Sequence, residues 1–133
     1  MTPPFPTLLV AHRGFGEGIL ASAEAILGER PDIELLSNEG LSPEVLGEKI
    51  DLWLKAHSGP AIILTDLGFG SCCQTARRVT RDRESVAVVA GVNLPVVLAA
   101  LRSREHGDFR SFLDHIEERG HGGLELYLAG TRL

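Results

Sequence analysis

Residues 7–28 read TLLVAHRGFGEGILASAEAILG, and the order of residue types in this stretch decides the fold class. The run TLLVA at Thr7–Ala11 is short, aliphatic and preceded by prolines, the pattern of a strand buried on both faces. Gly14, Gly16 and Gly18 follow as turn residues. Ile19, Leu20, Ala23, Ile26 and Leu27 then recur at helical spacing, with Gly28 placed to cap the helix. The same strand–turn–helix order repeats downstream. Strands are expected at residues 32–36 (DIELL), 61–64 (AIIL) and 85–90 (SVAVVA). Helices are expected from Ser42-Pro43, where Ser suits the N-cap and Pro the first position, then over residues 70–80, over 94–104, and around Phe109, Phe112, Leu113 and Ile116. Residues 124–128 (LELYL) alternate enough for an edge strand. Such alternation predicts an α/β three-layer sandwich, a mainly parallel sheet covered by helices on both faces. The flavodoxin-like strand order 2-1-3-4 is expected.

The arithmetic of the chain fits this reading. The 133 residues are 44% hydrophobic and 23% charged, which suits one domain over residues 1–133 with its own core. Aromatics are 5%, so that core is aliphatic. The net charge of -5 argues against a nucleic-acid partner. Arg77, Arg78, Arg81 and Arg83 form the one local basic run. It reads as a helix end and loop, with an acidic protein partner as the runner-up. Cys72 and Cys73 are adjacent, so no disulfide framework is expected, and they lack zinc-ligand spacing, so no metal is expected. Residues 1–6 carry no basic signal-peptide region, and the apolar stretch 86–101 is too short and too interrupted to span a bilayer. A reduced, cytoplasmic setting without direct membrane insertion is the expectation.

In open parallel sheets, chemistry gathers beyond the carboxyl ends of the strands, where strand order reverses. His12 follows the first strand and Asp66 the third, and order 2-1-3-4 makes those strands neighbours. A carboxylate beside an imidazole fixes its tautomer and leaves the other ring nitrogen free to attack. Gly68, Gly70 and Ser71 then open a helix whose free N–H groups suit an anion, above all a phosphate. Nucleophile, orienting carboxylate and anion cradle together describe phosphoryl transfer through a phosphohistidine, with no cofactor. The plainer readings are a capping Asp66, a surface His12 and glycines serving only as turns. His57, His106, His115 and His121 are read as solvated. Gly14-Phe-Gly16-Glu-Gly18 imitates a dinucleotide fingerprint, but its third glycine comes one residue early. Cys73 reads as a core residue, and Cys72, near the cradle, as a candidate reactive thiol.

Four segments resemble the IIA component of the mannose/fructose class of the phosphoenolpyruvate-dependent sugar phosphotransferase system: residues 8–28, ILTDLGFGS at 63–71, VAVVAGVNLPVVLAAL at 86–101 with its GVNLP turn, and the final strand. The resemblance implies that His12 is the phosphorylated residue and Asp66 its paired carboxylate, and that Ser71 opens the anion-binding helix. Histidine phosphocarrier protein would be the donor. A IIB component, or a regulatory target, would be the acceptor. It also implies a homodimer in which the last strand is exchanged. Arg13 stands where the family usually has glycine and is read as an added phosphate contact, the alternative being an obstruction to partner docking. Phe69-Gly70 and Cys72-Cys73 also depart from the family pattern. A phosphotransferase is therefore expected. The alternative is a non-catalytic regulatory module whose binding is switched by His12 phosphorylation.

Overall fold

The computed structural model describes residues 1–103 and 107–133. Arg104, read as the end of a helix, and His106, read as solvated, lie outside the described residues. Strand β1 is Thr7–Ala11, followed by helix α1 (Phe15–Leu27), β2 (Glu34–Ser37), α2 (Pro43–Ala56), β3 (Ala61–Thr65), α3 (Ser71–Thr80), β4 (Val86–Ala90), α4 (Leu94–Arg102) and α5 (Phe109–Gly122). The four strands form a parallel sheet in the order β2-β1-β3-β4, as the alternating pattern predicts.

Every residue of β1 and β3 is buried. Helices cover both faces, so neither strand needs a polar side. The period of two sorts their side chains between two cores. Leu9, Ala11, Ile62 and Leu64 meet Ala23 of α1, Val97 and Leu101 of α4, and Phe112 of α5. Leu8, Val10, Ala61 and Ile63 meet Leu46 and Ile50 of α2 and Ala76 of α3. The sheet is thus the middle of three layers. Phe5 extends the first core, contacting Phe109 and Phe112 edge-on at centroid distances of 4.9 and 5.2 Å. Gly16 lets α1 lie close on β2, since a Cβ there would collide with Leu35 Cδ1.

Local chemistry sets the helix ends. Ser42 Oγ accepts the Val45 N–H at 3.2 Å, with Pro43 opening α2. Asn93 of the GVNLP turn serves two elements. Its Oδ1 accepts the Val96 N–H at 3.0 Å, and its Nδ2 donates to the Gly120 carbonyl at 2.9 Å, tying α4 to α5. The basic run divides its duties: Arg83 pairs with Asp51 of α2 at 2.7 Å and Arg78 donates to the Pro43 carbonyl at 3.3 Å. These two arginines clamp α3 and its following loop to α2.

Two details differ from the sequence reading. The strand expected at 124–128 shrinks to β5 (Tyr127–Leu128), which pairs antiparallel with β6 (Thr131–Arg132) and not with the sheet. Ala129 and Gly130, at φ 49° and 83°, make the two-residue turn that closes this hairpin. His57 is not simply solvated: its Nδ1 lies 2.8 Å from the Trp53 carbonyl and its ring stacks on Trp53 at 4.4 Å. Among the described residues no helix is long and apolar enough to cross a membrane.

Leu9 is fully buried in the first core, whereas Leu52 is exposed on α2. Leu9→Ala should lower the unfolding free energy by about 2–5 kcal/mol in urea titrations. Leu52→Ala should stay within about 0.5 kcal/mol of the parent.

Candidate active site

Strand register builds the site. Val10 of β1 lies opposite Thr65 of β3, so the residues just past each strand, His12 and Asp66, emerge side by side. The end of β3 is fixed in turn: Thr65 Oγ1 donates to the Val89 carbonyl at 2.7 Å, and the Thr65 carbonyl accepts from Gly91 and Val92.

Asp66 holds His12 twice through one oxygen. Its Oδ2 accepts the His12 backbone N–H at 2.9 Å and lies 2.7 Å from ring Nδ1. The carboxylate is 8% exposed and the imidazole 47%. A carboxylate only accepts, so against it Nδ1 serves as the donor, and in the neutral ring that tautomer leaves the lone pair on Nε2. Nε2 makes no hydrogen bond among the described residues. The arrangement leaves one ring nitrogen, Nε2, unbonded on a half-open imidazole that is held from behind through Nδ1.

Gly70 and Ser71 open α3 against this ring. A Cβ on Gly70 would stand 3.3 Å from His12 Cε1, so any larger residue would press on the imidazole. Gly70 has an ordinary extended backbone, φ -87°, and close approach is what requires glycine there. The first N–H groups of α3 have no carbonyl ahead of them within the helix, and they carry the positive end of its dipole. The Ser71 hydroxyl accepts from Asn38 Nδ2 at 3.3 Å. Arg13, by contrast, is exposed and pairs with Glu39 at 3.0 Å, and must leave that carboxylate to reach an anion at His12.

Two residues at the site escape the strand-end argument as first applied. Asn38 comes just past β2, and its backbone N–H bonds the Ala11 carbonyl. The strand-end rule reaches it only when applied past the second strand as well as the first and third. Cys72 lies with its Sγ 4.0 Å from His12 Nδ1. It is fully buried and carries a free thiol, as does Cys73. Burial, reinforced by the Asp66 charge, pushes the Cys72 thiol up to about 11 from its ordinary 9.0. Phe15, at the start of α1 just past His12, and Leu67 and Phe69, in the loop after Asp66, are exposed.

Comparison with known proteins follows the same lines. The model of the EIIA-man family, described as PTS system fructose IIA component, matches residues 7–117. The PTS system mannose-specific EIIAB component of Escherichia coli (strain K12) is 32% identical over 97 residues, 71% of this chain and 30% of that protein. Its counterpart in Shigella flexneri matches to the same extent. The chain therefore spans about 30% of the length of these curated relatives. Among solved structures, the mannose/sorbose specific IIA subunit of the phosphotransferase system from Enterococcus faecalis superposes with a TM-score of 0.81 at 26% identity, covering 96% of both chains. The PTS IIA protein associated with the fucose utilization operon from Streptococcus pneumoniae gives 0.72 at 25% identity, covering 93% of this chain and 94% of that one.

The raised Cys72 value carries a pH signature. The unfolded thiol ionises near 9 while the folded one stays protonated to about 11. Its contribution to stability is complete below pH 9 and is lost as pH rises to about 11. Urea midpoints should fall across this window, and the fall should be shallower in Cys72→Ala.

Proposed function

The chain belongs to the EIIA-man family of PTS fructose IIA components, and from that premise we propose that it is a phosphotransferase, a carrier transiently phosphorylated on His12 Nε2. The observation that carries this reading is the 2.7 Å contact between His12 Nδ1 and Asp66 Oδ2. The donor is histidine phosphocarrier protein. The acceptor is a IIB component or a regulatory target, and the exchange takes place in the cytoplasm. Residues 1–133 act as one domain.

The reaction follows from the ring's protonation state. The Nε2 lone pair attacks phosphorus as the N–P bond of the donor phosphohistidine breaks, and the donor imidazole leaves with that electron pair. No proton needs to move. The product ring is a phosphoimidazolium that keeps its proton on Nδ1, and the Asp66 carboxylate stabilises that cation. The phosphoryl oxygens sit against the backbone N–H of Ser71 at the start of α3, where the dipole favours negative charge; Gly70 contributes close approach and not a donor, because its N–H is bonded to the Leu67 carbonyl at 3.0 Å. The exposed Phe15, Leu67 and Phe69 offer an apolar rim for protein partners, which must bring their own reactive group to within bonding reach. No metal or organic cofactor is needed for this transfer.

The homodimer with exchanged terminal strands is part of the same reading. One edge of the sheet, at β4, borders a groove of about 490 Å³ lined by Val88, Val89, Leu113 and Ile116. The terminal segment exposes Leu124, Leu126, Tyr127, Leu128 and Leu133, an apolar set that a single chain leaves in water. Laying that segment of one copy along β4 of the other covers both.

Incubation with phosphoenolpyruvate, enzyme I and histidine phosphocarrier protein should add one acid-labile phosphoryl group, absent in His12→Ala. Asp66→Asn should slow the gain by roughly 10²–10⁴-fold while the fold persists by circular dichroism. No gain from any cognate donor would remove the proposal. Sedimentation should give a dimer, and a Leu126→Asp/Leu128→Asp double variant should shift it toward monomer.

A further inference from the structure

Three unlike donor atoms meet behind the reactive ring. His12 Nδ1, an Asp66 carboxylate oxygen and Cys72 Sγ all lie within 4.8 Å of one another. Sγ is 4.0 Å and Oδ2 is 2.7 Å from Nδ1. A tetrahedral zinc ion, with bonds of about 2.0–2.3 Å, separates its nitrogen and sulfur ligands by about 3.6 Å and its nitrogen and oxygen ligands by about 3.4 Å. Side-chain movements of less than about 1 Å reach that geometry. An independent observation also points to a ligand. The second carboxylate oxygen, Asp66 Oδ1, is buried with no hydrogen-bond partner among the described residues, on a side chain only 8% exposed. Buried carboxylate oxygens are normally satisfied, and a cation that the carboxylate holds through both oxygens would satisfy this one. The thiol and imidazole select zinc-like ions over magnesium or calcium.

We propose that His12, Asp66 and Cys72 form a site for a zinc-class divalent cation, with water as fourth ligand on the open side of the imidazole, and that cation and phosphoryl group exclude one another. The exclusion rests on the phosphocarrier reading; the cation site does not. On binding, the cation takes the Nδ1 lone pair and displaces the Cys72 thiol proton to solvent. The ring proton then resides on Nε2, which has no lone pair left for phosphorus. Phosphorylated His12 is blocked in the opposite sense: phosphorus occupies Nε2, a proton occupies Nδ1, and neither nitrogen has a pair to give a metal. Each ligand must weaken the other by the same factor. Cys72 would thus make the carrier responsive to free zinc.

The full chain, stripped with chelator, is dialysed against Zn²⁺ or Co²⁺ alone. One ion per chain is expected, with a thiolate-to-cobalt charge-transfer band. Cys72→Ala should lose the band and at least tenfold in affinity. Cys73→Ala, outside the donor set, should keep both. Substoichiometric binding, or binding indifferent to Cys72→Ala in folded protein, overturns the site. Zn²⁺ should also slow phosphorylation of the parent chain and have no such effect on Cys72→Ala. Stoichiometric zinc with undiminished phosphorylation overturns the exclusion. Stoichiometric zinc in a chain that no donor phosphorylates supports the site and overturns only the carrier reading.

Discussion

One carboxylate oxygen, Asp66 Oδ2, accepts from both the backbone N–H and the ring of His12, and the chemistry of the molecule depends on that double contact. The backbone bond pins where the loop after β1 goes. The ring bond decides which nitrogen is basic. Neither would be met in water alone, where an imidazole samples both tautomers and all rotamers. Bringing the carboxylate there requires a strand fully buried next to β1, ending at the right residue. The two apolar cores are what hold β3 in that position.

The architecture explains why so few polar residues make the site. Parallel strands all point the same way, so every strand leaves its next residue at one end of the sheet. Ser37-Asn38, Ala11-His12 and Thr65-Asp66 are three such exits in adjacent positions. The helix that follows β3 starts at once, and its amino end lands against the ring that β1 delivers. Position in the sheet, rather than proximity along the chain, gathers the groups.

What the sequence disclosed follows from the same geometry. Runs such as TLLVA and AIIL, bounded by prolines and glycines, read as buried strands, and their alternation with helices implies a parallel sheet, for which the flavodoxin-like order was the expectation. His12 and Asp66 were therefore legible as a pair. Cys72 was legible only as a neighbour of the cradle, because its closeness to Nδ1 depends on how α3 is rotated about its axis, which spacing along the chain does not encode. Asn38 stands at the exit of β2, but an amide carries no titratable signal that singles it out in the sequence. Of the terminal LELYL segment only Tyr127–Leu128 is strand within one chain, and the hairpin it forms was not legible, because the Ala129-Gly130 turn lacks the asparagine or aspartate that usually announces one. His57 lay at a polar helix end by sequence, yet the indole one turn back draws it into a stack.

The span between the two halves of the site has a consequence for synthesis. β1 and β3 are separated by α1, β2 and α2, so their pairing closes a loop of more than fifty residues and belongs to the slower, non-local part of folding. A nascent chain halted before β3 displays an imidazole that swivels freely, with no acid behind it and no helix dipole beside it. The His12–Asp66 pair thus forms only with the completed sheet, and the ring itself becomes a reporter of whether the polypeptide has finished folding.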